Sequence, residues 1–450
     1  MPKYFGTYGI RGLINFLTPE FTAAMSAAFA TWLGGTIVVG RDTRTTGEML
    51  ERAVISGLLS AGCDVIELGT VPSPTVEFEV KRLGAAGGVI ITASHNPPEW
   101  NALKFVGKEG VGLSREKGEE IEAIYERRAQ RRAEWDRQGT LSRHPSAISE
   151  HIAEIEKHVD ERVIRRKSPL VVLDCANGTA GLMAPQLMRR LGCRIITLNA
   201  QPDGRFPGRP SEPTEENIGD LIGAVKALRA DLGIAWDGDA DRVIFVDERG
   251  RYIWGDRSFA LCAKLKLMER KGDVVTTIAT SNVVKDVAVQ GGGKIVYTKV
   301  GAPYISEAML RRRAVIGGEE VGGVVWPEIG WGKDGLMTAA KVVEAICRFG
   351  KLSKLISSLP KYFNAKTKVM TGDKDKQKVL ERVKAVMGKE EGELITIDGL
   401  RLNTDEGWVI VRPSGTENLM RVFAEAGSQG KAAALLQRYR RIVEDAVRDA

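Results

Sequence analysis

From Pro19 onward, apolar positions three and four residues apart alternate with short unbroken apolar runs. This pattern predicts a helix from Pro19, a strand at 36–39, a helix at 46–60, a strand at 64–68 and a buried strand at 88–92. Helices and strands alternating in this way cover a parallel or mixed sheet. The uncharged stretch 21–40 has the length of a membrane span, but Thr22, Ser26, Thr31, Gly34 and Gly35 interrupt it, so it reads as a helix followed by a strand. A helix-glycine-strand phrase at 58–66 recurs at 189–196 and, more loosely, at 289–296. Glycine after a helix is an ordinary C-terminal cap, yet three copies at roughly hundred-residue separations predict repeated α/β domains.

Each copy leads to an unusual loop, at 92–101, 237–242 and 317–323. These loops follow the apolar strands Val89-Ile90-Ile91, Ile234-Ala235-Trp236 and Ala314-Val315-Ile316. Loops at the carboxyl ends of sheet strands are where α/β folds place chemistry. The C-terminal part reads differently: a charged helix at 374–387, short strands between 394 and 423 with turns at Asp398-Gly399 and Glu406-Gly407, and a terminal helix. That is an α+β appendix. The charged stretch 120–157 and a connector near Pro360 mark the boundaries.

With 43% hydrophobic residues in 450 positions the chain can bury several cores, and 27% charged residues, 50 Gly and 17 Pro exclude disordered, collagenous and low-complexity classes. Lys+Arg 65 against Asp+Glu 58 leaves a net charge of +7, compatible with an anionic partner. The densest basic stretch, 126–143, mixes Glu126, Glu134 and Asp136 among its arginines and carries one aromatic, Trp135; it reads as a solvated helix face rather than a nucleic-acid groove. Cys63, Cys175, Cys193, Cys262 and Cys347 are odd in number and widely spaced, against both a disulfide framework and a zinc knuckle. No basic segment and short apolar stretch open the sequence, so the expectation is a cytoplasmic protein with neither membrane nor nucleic-acid partner.

Thr92-Ala93-Ser94-His95-Asn96-Pro97-Pro98 places a serine and a histidine between a buried strand and a proline pair that stops regular structure. Adjacent residues in extended backbone face opposite sides and the G-x-S-x-G elbow is absent, so this loop alone reads equally well as structural. Asp237-Gly238-Asp239-Ala240-Asp241-Arg242 is more specific, because three carboxylates at alternate positions repel one another unless a cation lies between them. Calcium-loop spacing is matched as far as Glu248, but Arg242 stands at the turning glycine and Val243-Ile244-Phe245-Val246 reads as a strand. Magnesium is the expected ion, with phosphate oxygens completing its shell. Arg412-Pro413-Ser414-Gly415-Thr416 supplies a guanidinium, two hydroxyls and small-residue amides, the inventory for a phosphate dianion, although a plain turn also uses Ser-Gly. Gly317-Gly318-Glu319-Glu320-Val321-Gly322-Gly323 sets carboxylates in a glycine-rich loop where they can accept from sugar hydroxyls, a weak signal by itself.

Together with Phe5-Gly6-Thr7-Tyr8-Gly9-Ile10-Arg11-Gly12, these loops in this order resemble the α-D-phosphohexomutase family over essentially the whole chain, most closely its archaeal phosphomannomutase/phosphoglucomutase branch. The resemblance implies three similar α/β domains with mixed sheets plus a C-terminal α+β domain around a central cleft. Each would give one loop: 1–148 the phosphoserine loop, 149–248 the metal loop, 249–360 the sugar loop and 361–450 the phosphate loop. It implies a catalytic phosphoserine at Ser94 and magnesium on Ser94, Asp237, Asp239 and Asp241. Gly318 and Glu319 would recognise the sugar, and Arg412, Ser414, Gly415, Thr416 and Arg421 would hold the non-reacting phosphate. Lys104, Arg242 and Arg11 match positions near the transferred phosphoryl group; Lys104 is the expected proton carrier, with His95 second. The chain departs from the family pattern at Val321, often Ser or Asn, and at Ala302, often His or Asp, and neither side chain can hydrogen-bond a sugar hydroxyl. Tyr8 replaces a commonly small or acidic residue.

The implied activity is reversible interconversion of hexose 1-phosphate and hexose 6-phosphate, glucose and/or mannose, in a monomer or small homo-oligomer. It would run through a phosphoserine and a hexose 1,6-bisphosphate that also serves as activator. Alternatives are a phosphoglucosamine mutase, a magnesium-dependent sugar phosphatase and, outside catalysis, a phosphosugar- or calcium-binding module.

Overall fold

The apolar runs become the strands of four sheets in the computed structural model, which describes residues 3–414 and 417–449. The first sheet contains β1 (Ile10–Leu13), β2 (Ile37–Arg41), β3 (Val65–Thr70), β4 (Gly87–Ile91), β5 (Trp100–Gly107) and β6 (Leu141–Arg143), in the order β1-β5-β4-β2-β3-β6. The second contains β7 (Leu170–Asp174), β8 (Arg194–Leu198), β9 (Leu232–Trp236), β10 (Val243–Asp247) and β11 (Tyr252–Ile253), in the order β11-β10-β9-β7-β8. The third contains β12 (Val274–Thr277), β13 (Ile295–Thr298), β14 (Ile316–Gly318) and β15 (Val324–Val325), in the order β13-β12-β14-β15. The fourth is antiparallel throughout: β16 (Phe363–Met370), β17 (Glu393–Ile395), β18 (Leu400–Thr404), β19 (Gly407–Pro413) and β20 (Leu419–Ala426), in the order β16-β20-β19-β18-β17.

The first three sheets share one plan. In each, a central strand (β2, β7 or β12) lies between two parallel neighbours. The later neighbour (β4, β9 or β14) then turns back into an antiparallel partner (β5, β10 or β15). The three loops singled out in the sequence are this same turn, at 92–99, 237–242 and 319–323. The recurring glycine phrase is likewise one passage, from the helices Gly47–Ser60, Ala180–Leu191 and Asn282–Gln290 into β3, β8 and β13. Helices cover both faces, so β4 and β9 are buried at every position and their sequences run apolar without alternation.

One apolar core runs continuously through the second and third repeats, including Trp236, Phe259 and Trp326. The fourth sheet has its own core beneath the helices Lys376–Met387 and Gln429–Arg448. Buried Arg401 docks it on the third repeat: Nη1 donates to the carbonyls of Ile278 (2.6 Å) and Thr280 (3.0 Å), and the guanidinium lies 4.8 Å from the Tyr297 ring and 4.3 Å from the Trp408 ring.

Three expectations change. Residues 126–143 do not form a helix face: the helix Arg115–Glu126 stops, Arg128 takes φ 51°, and the chain crosses the ends of two earlier helices. There Arg131 donates to Thr31 Oγ1 (2.8 Å) and the Ala61 carbonyl (2.6 Å), and Gly139 N–H to the Leu59 carbonyl (3.0 Å). A run of charges without an apolar stripe gives a helix no face to bury. The strand expected at 314–316 starts only at Ile316 and continues through Gly318. The second sheet runs past the boundary expected at 248, because β11 joins it. Among the described residues, no helix is long and apolar enough to cross a membrane.

Candidate active site

Ser94 has φ 52°, a left-handed conformation that costs a non-glycine residue about 1–3 kcal/mol unless its surroundings enforce it. They do. Its N–H donates to Thr92 Oγ1 (2.9 Å), whose hydroxyl donates to Asp42 Oδ2 (2.6 Å). Its carbonyl accepts from Arg44 Nη2 (2.9 Å) and Ser211 Oγ (3.0 Å). Arg44, buried and ion-paired to Asp42 at 3.0 Å, also donates to the carbonyls of Asn96, Pro97 and Trp100. The serine loop is thereby fixed to the end of β2.

Ser94 Oγ donates to Asp237 Oδ2 at 2.7 Å, joining the first two loops. A Cβ on Gly238 would sit 2.8 Å from Ser211 Oγ and 2.9 Å from the Ser94 carbonyl, so the approach requires glycine. Asp237, Asp239 and Asp241 are buried and bring ligand oxygens within 4.8 Å of one another. Asp239 Oδ2 accepts from Ser73 Oγ (2.6 Å) and Lys104 Nζ (2.8 Å), and Asp241 Oδ2 lies 3.1 Å from Lys333 Nζ. The Oδ1 atoms of Asp239 and Asp241 are buried with no hydrogen-bond partner among the described residues. Burial, then Asp239 and Asp241, push Asp237 well above the usual carboxylate range. Burial would also raise Asp239, but Lys104, Ser73 and Lys333 outweigh it and hold it below that range. Converging oxygens with unfilled acceptor capacity suit a hard divalent cation.

In the third loop, the paired acids Glu319 and Glu320 part company. Glu319 Oε1 accepts from Lys333 Nζ at 2.7 Å and lies 3.8 Å from Arg242 Nε. Burial opposes its ionisation, yet Lys333 and then Arg242 keep it below the usual range. Glu320 instead accepts from Thr277 Oγ1 at 3.1 Å. Gly318 packs its backbone on Phe259, where a Cβ would come within 2.7 Å of the ring.

Arg11 donates to Asn96 Oδ1 at 2.7 Å. Burial, then Arg242 and Arg11, push His95 down to about 2, so its ring is neutral, and its Nδ1 has no partner among the described residues. Tyr8, which has no rationale in the sequence, donates to Glu77 Oε1 (2.8 Å) and holds its ring 5.2 Å from the Lys104 ammonium. Burial pushes that glutamate up to about 8.

The fourth loop stands apart. Arg412 Nη2 donates to Asp398 Oδ2 (2.6 Å), which also accepts from Val300 N–H (2.9 Å), so the loop rests on the third repeat beside Gly301. Arg421 lies opposite Arg412 in the strand register and pairs with Glu417 at 3.3 Å. Ser414 Oγ accepts from Glu417 N–H (3.2 Å). Gly415 and Thr416 lie outside the described residues. No hydrogen bond or ion pair among the described residues joins 412–421 to the serine or aspartate loops.

Lys333, Arg44 and Ser73 escape sequence reasoning. Lys333 has a faint signal, a lone cation between glycines in Gly332-Lys333-Asp334-Gly335 just before a helix. Arg44 has another, in the dense charges of Arg41-Asp42-Thr43-Arg44 at the exit of a buried strand.

Family models described as phosphoglucomutase/phosphomannomutase match in series: alpha/beta/alpha domain I at 2–132, domain II at 149–250, domain III at 254–363 and the C-terminal domain at 366–442. The chain is 44% identical over 457 aligned positions to a phosphoglucomutase/phosphomannomutase of Thermococcus kodakarensis, covering 100% of both chains. It is 40% identical to a probable phosphoglucosamine mutase of Methanopyrus kandleri, covering 100% of this chain and 99% of the relative. A crystal structure of a phosphoglucomutase/phosphomannomutase family protein from Burkholderia thailandensis superposes with a TM-score of 0.89 at 27% identity, over 98% of this chain and 96% of that one.

Proposed function

Because the chain belongs to the phosphoglucomutase/phosphomannomutase family of α-D-phosphohexomutases, whose members are isomerases of the mutase type, we propose that it interconverts hexose 1-phosphates and hexose 6-phosphates with glucose and mannose as its sugars. The reaction runs through a phosphoserine at Ser94 and a hexose 1,6-bisphosphate. The observation that carries this reading is Ser94 Oγ at 2.7 Å from Asp237, inside a shell containing Lys104, Lys333, Arg242 and Arg11. Phosphoryl transfer is governed by positioning and charge neutralisation, which is what such a shell supplies.

In the forward half-reaction the bond between Ser94 Oγ and phosphorus breaks as the sugar hydroxyl oxygen bonds to phosphorus, and the hydroxyl gives up its proton. The bisphosphate then turns over and returns its other phosphoryl group to Ser94. Lys104 is the proposed proton carrier, buried beside Asp239. His95 ranks second, because a ring held at about 2 is a weak base. Ser94, Asp237, Asp239 and Asp241 would hold magnesium, which when bound offsets negative charge on phosphoryl oxygens. Gly318 and Glu319 recognise the sugar, and the loop of Arg412, Ser414, Gly415, Thr416 and Arg421 holds the second phosphate. Each loop belongs to one of four domains with the bounds expected from the sequence, the second extended to Ile253 because β11 joins its sheet. The enzyme works in the cytoplasm as a monomer or small homo-oligomer.

Relatives named probable phosphoglucosamine mutase favour a second substrate, glucosamine phosphate. Val321 and Ala302 offer a sugar hydroxyl no side-chain partner, so Glu319 carries most of the discrimination. The deciding experiment is a panel of glucose, mannose and glucosamine 1-phosphates, with and without catalytic hexose 1,6-bisphosphate, read for both 6-phosphate and inorganic phosphate. A mutase needs the bisphosphate and releases little phosphate, whereas a phosphatase releases it stoichiometrically. Ser94→Ala should leave no measurable mutase turnover in a folded protein.

A further inference from the structure

Outside the site, one buried histidine bridges the two segments that brace the aspartate loop. His151, in the helix Ala147–Lys157, is fully buried and stacks on Phe78 with ring centroids 4.9 Å apart and planes at 16°. Its Nε2 lies 2.9 Å from Asp334 Oδ2 and its Nδ1 lies 3.0 Å from Thr75 Oγ1. A carboxylate only accepts, so Nε2 carries the hydrogen; in the neutral ring Nδ1 then accepts from the Thr75 hydroxyl.

Both partners are one step from the site. Thr75 is in the first turn of the helix Ser73–Arg82, whose Ser73 grips Asp239 twice, N–H to carbonyl (3.0 Å) and hydroxyl to Oδ2 (2.6 Å). Asp334 caps the helix Gly335–Phe349, accepting from the N–H groups of Leu336 (2.8 Å) and Met337 (2.9 Å). The residue before it, Lys333, reaches Asp241 (3.1 Å) and Glu319 (2.7 Å). Three distant parts of the chain thus meet on one ring.

We propose that His151 is a positioning residue for phosphoryl transfer: through Thr75 and Asp334 it fixes Ser73 relative to Lys333, and so the separation of the Asp239 and Asp241 carboxylates. Outer-shell groups of this kind orient ligand carboxylates without touching a metal or substrate. Were His151 only filling space, a phenylalanine ring on Phe78 would serve as well. The link to catalysis rests on the function proposed above; the bracing of the carboxylates does not.

The test compares His151→Phe, which keeps an aromatic ring and loses both hydrogen bonds, with His151→Gln, whose amide can donate to Asp334 and accept from Thr75. Mg2+ affinity by calorimetry, kcat and KM for glucose 1-phosphate, and the thermal midpoint are measured on full chains matched for Ser94 phosphorylation. His151→Phe should weaken Mg2+ binding and lower kcat by about 10- to 100-fold each. KM should stay within about threefold, and His151→Gln should recover most of both losses. Wild-type Mg2+ affinity and kcat in folded His151→Phe overturn the proposal, and so does a glutamine variant no better than phenylalanine. If His151→Phe does not fold, Thr75→Val removes one of the two bonds from its far end and should weaken Mg2+ binding by about 3- to 10-fold; unchanged affinity there also overturns it. Mg2+ binding is read without turnover. A chain that shows this dependence but no mutase activity counts against the proposed function and leaves the role of His151 standing.

Discussion

At the serine end of the site Asp239, Asp241 and Glu319 each have a lysine nitrogen within 3.1 Å, whereas Asp256 and Glu425, buried near the third loop, and Glu320, half-buried within it, have no ion pair among the described residues. The consequence is opposite ionisation. Lys104 and Lys333 overcome burial and hold Asp239 and Glu319 below the usual carboxylate range. At the third loop and near it burial wins, raising Glu320 and Glu425 and pushing Asp256 up to about 7. Burying a carboxylate charge is costly without a partner, so the carboxylates with a lysine beside them keep their charge and those without one do not. Asp237, at the same end but without an ion pair among the described residues, follows the same rule and is raised by burial and by its two neighbours.

The sharpest way to break the comparison is to remove a cation from the serine end. Lys104→Met leaves Asp239 buried with Ser73 as its remaining side-chain donor. Breaking one side of a buried pair typically costs about 3–5 kcal/mol, because the orphaned charge stays desolvated. Denaturant unfolding should show a loss of that order, and turnover should fall by about a thousandfold or more if Lys104 also moves the proton. Added Mg2+ should recover part of the stability but not the rate. A variant with wild-type stability would mean that the pair contributes nothing net and that the two groups of acids do not differ as described.

A smaller effect is expected at the fourth loop, proposed to hold the second phosphate. Arg412 is tied to Asp398 at 2.6 Å and, among the described residues, makes no hydrogen bond or ion pair with the serine loop, so its removal should spare the transfer chemistry. If Arg412 grips a phosphate oxygen by charge-assisted hydrogen bonds, Arg412→Ala costs about 2–4 kcal/mol in kcat/KM, alike for glucose and mannose substrates. Glu319→Ala should instead change the ratio between the sugars. Steady-state kinetics with both sugars separates these outcomes, and an Arg412→Ala loss confined to one epimer would show that this loop reads the ring.

How far the sequence reveals this division follows from where each signal resides. The aspartate loop is legible because three carboxylates at alternate positions follow an apolar strand, whereas the serine loop alone reads equally well as structural and takes its meaning from the family resemblance; the repeated turn after β4, β9 and β14 explains why such loops recur along the chain. Lys333 carries only a faint signal and His151 none, since their meaning lies in contacts with Glu319, Asp241, Thr75 and Asp334 that only the folded chain creates. Residues 126–143 mislead because charge density marks exposure but not periodicity; Trp135 there is 88% exposed. Strand β16 gives no clear signal for the opposite reason, since it is an edge strand with exposed and half-buried residues alternating over most of its length.

The smallest effect concerns Asp256 and the acids around it and is read by pH rather than by rate. Asp256 Oδ1 accepts from Ser281 N–H at 3.0 Å, a bond that asparagine can keep, so Asp256→Asn removes the titration with little change in shape. Burial and then Glu320 raise Asp256 from its ordinary 3.8 to about 7, so between those values the unfolded chain has released this proton while the folded chain still holds it. Folding stability therefore falls as pH rises through this window; the stabilisation is full below about 4 and lost above about 7. Glu320 and Glu425 titrate in both proteins and largely cancel in the difference. Relative to wild type, Asp256→Asn should gain up to about 1.4 kcal/mol per pH unit between pH 5 and pH 7. Serine-end acids held below the usual range have the opposite sign, because their stabilisation is lost on acidification. Denaturant unfolding at several pH values measures the slope, and a flat difference would show that Asp256 is ionised in the folded protein despite its burial.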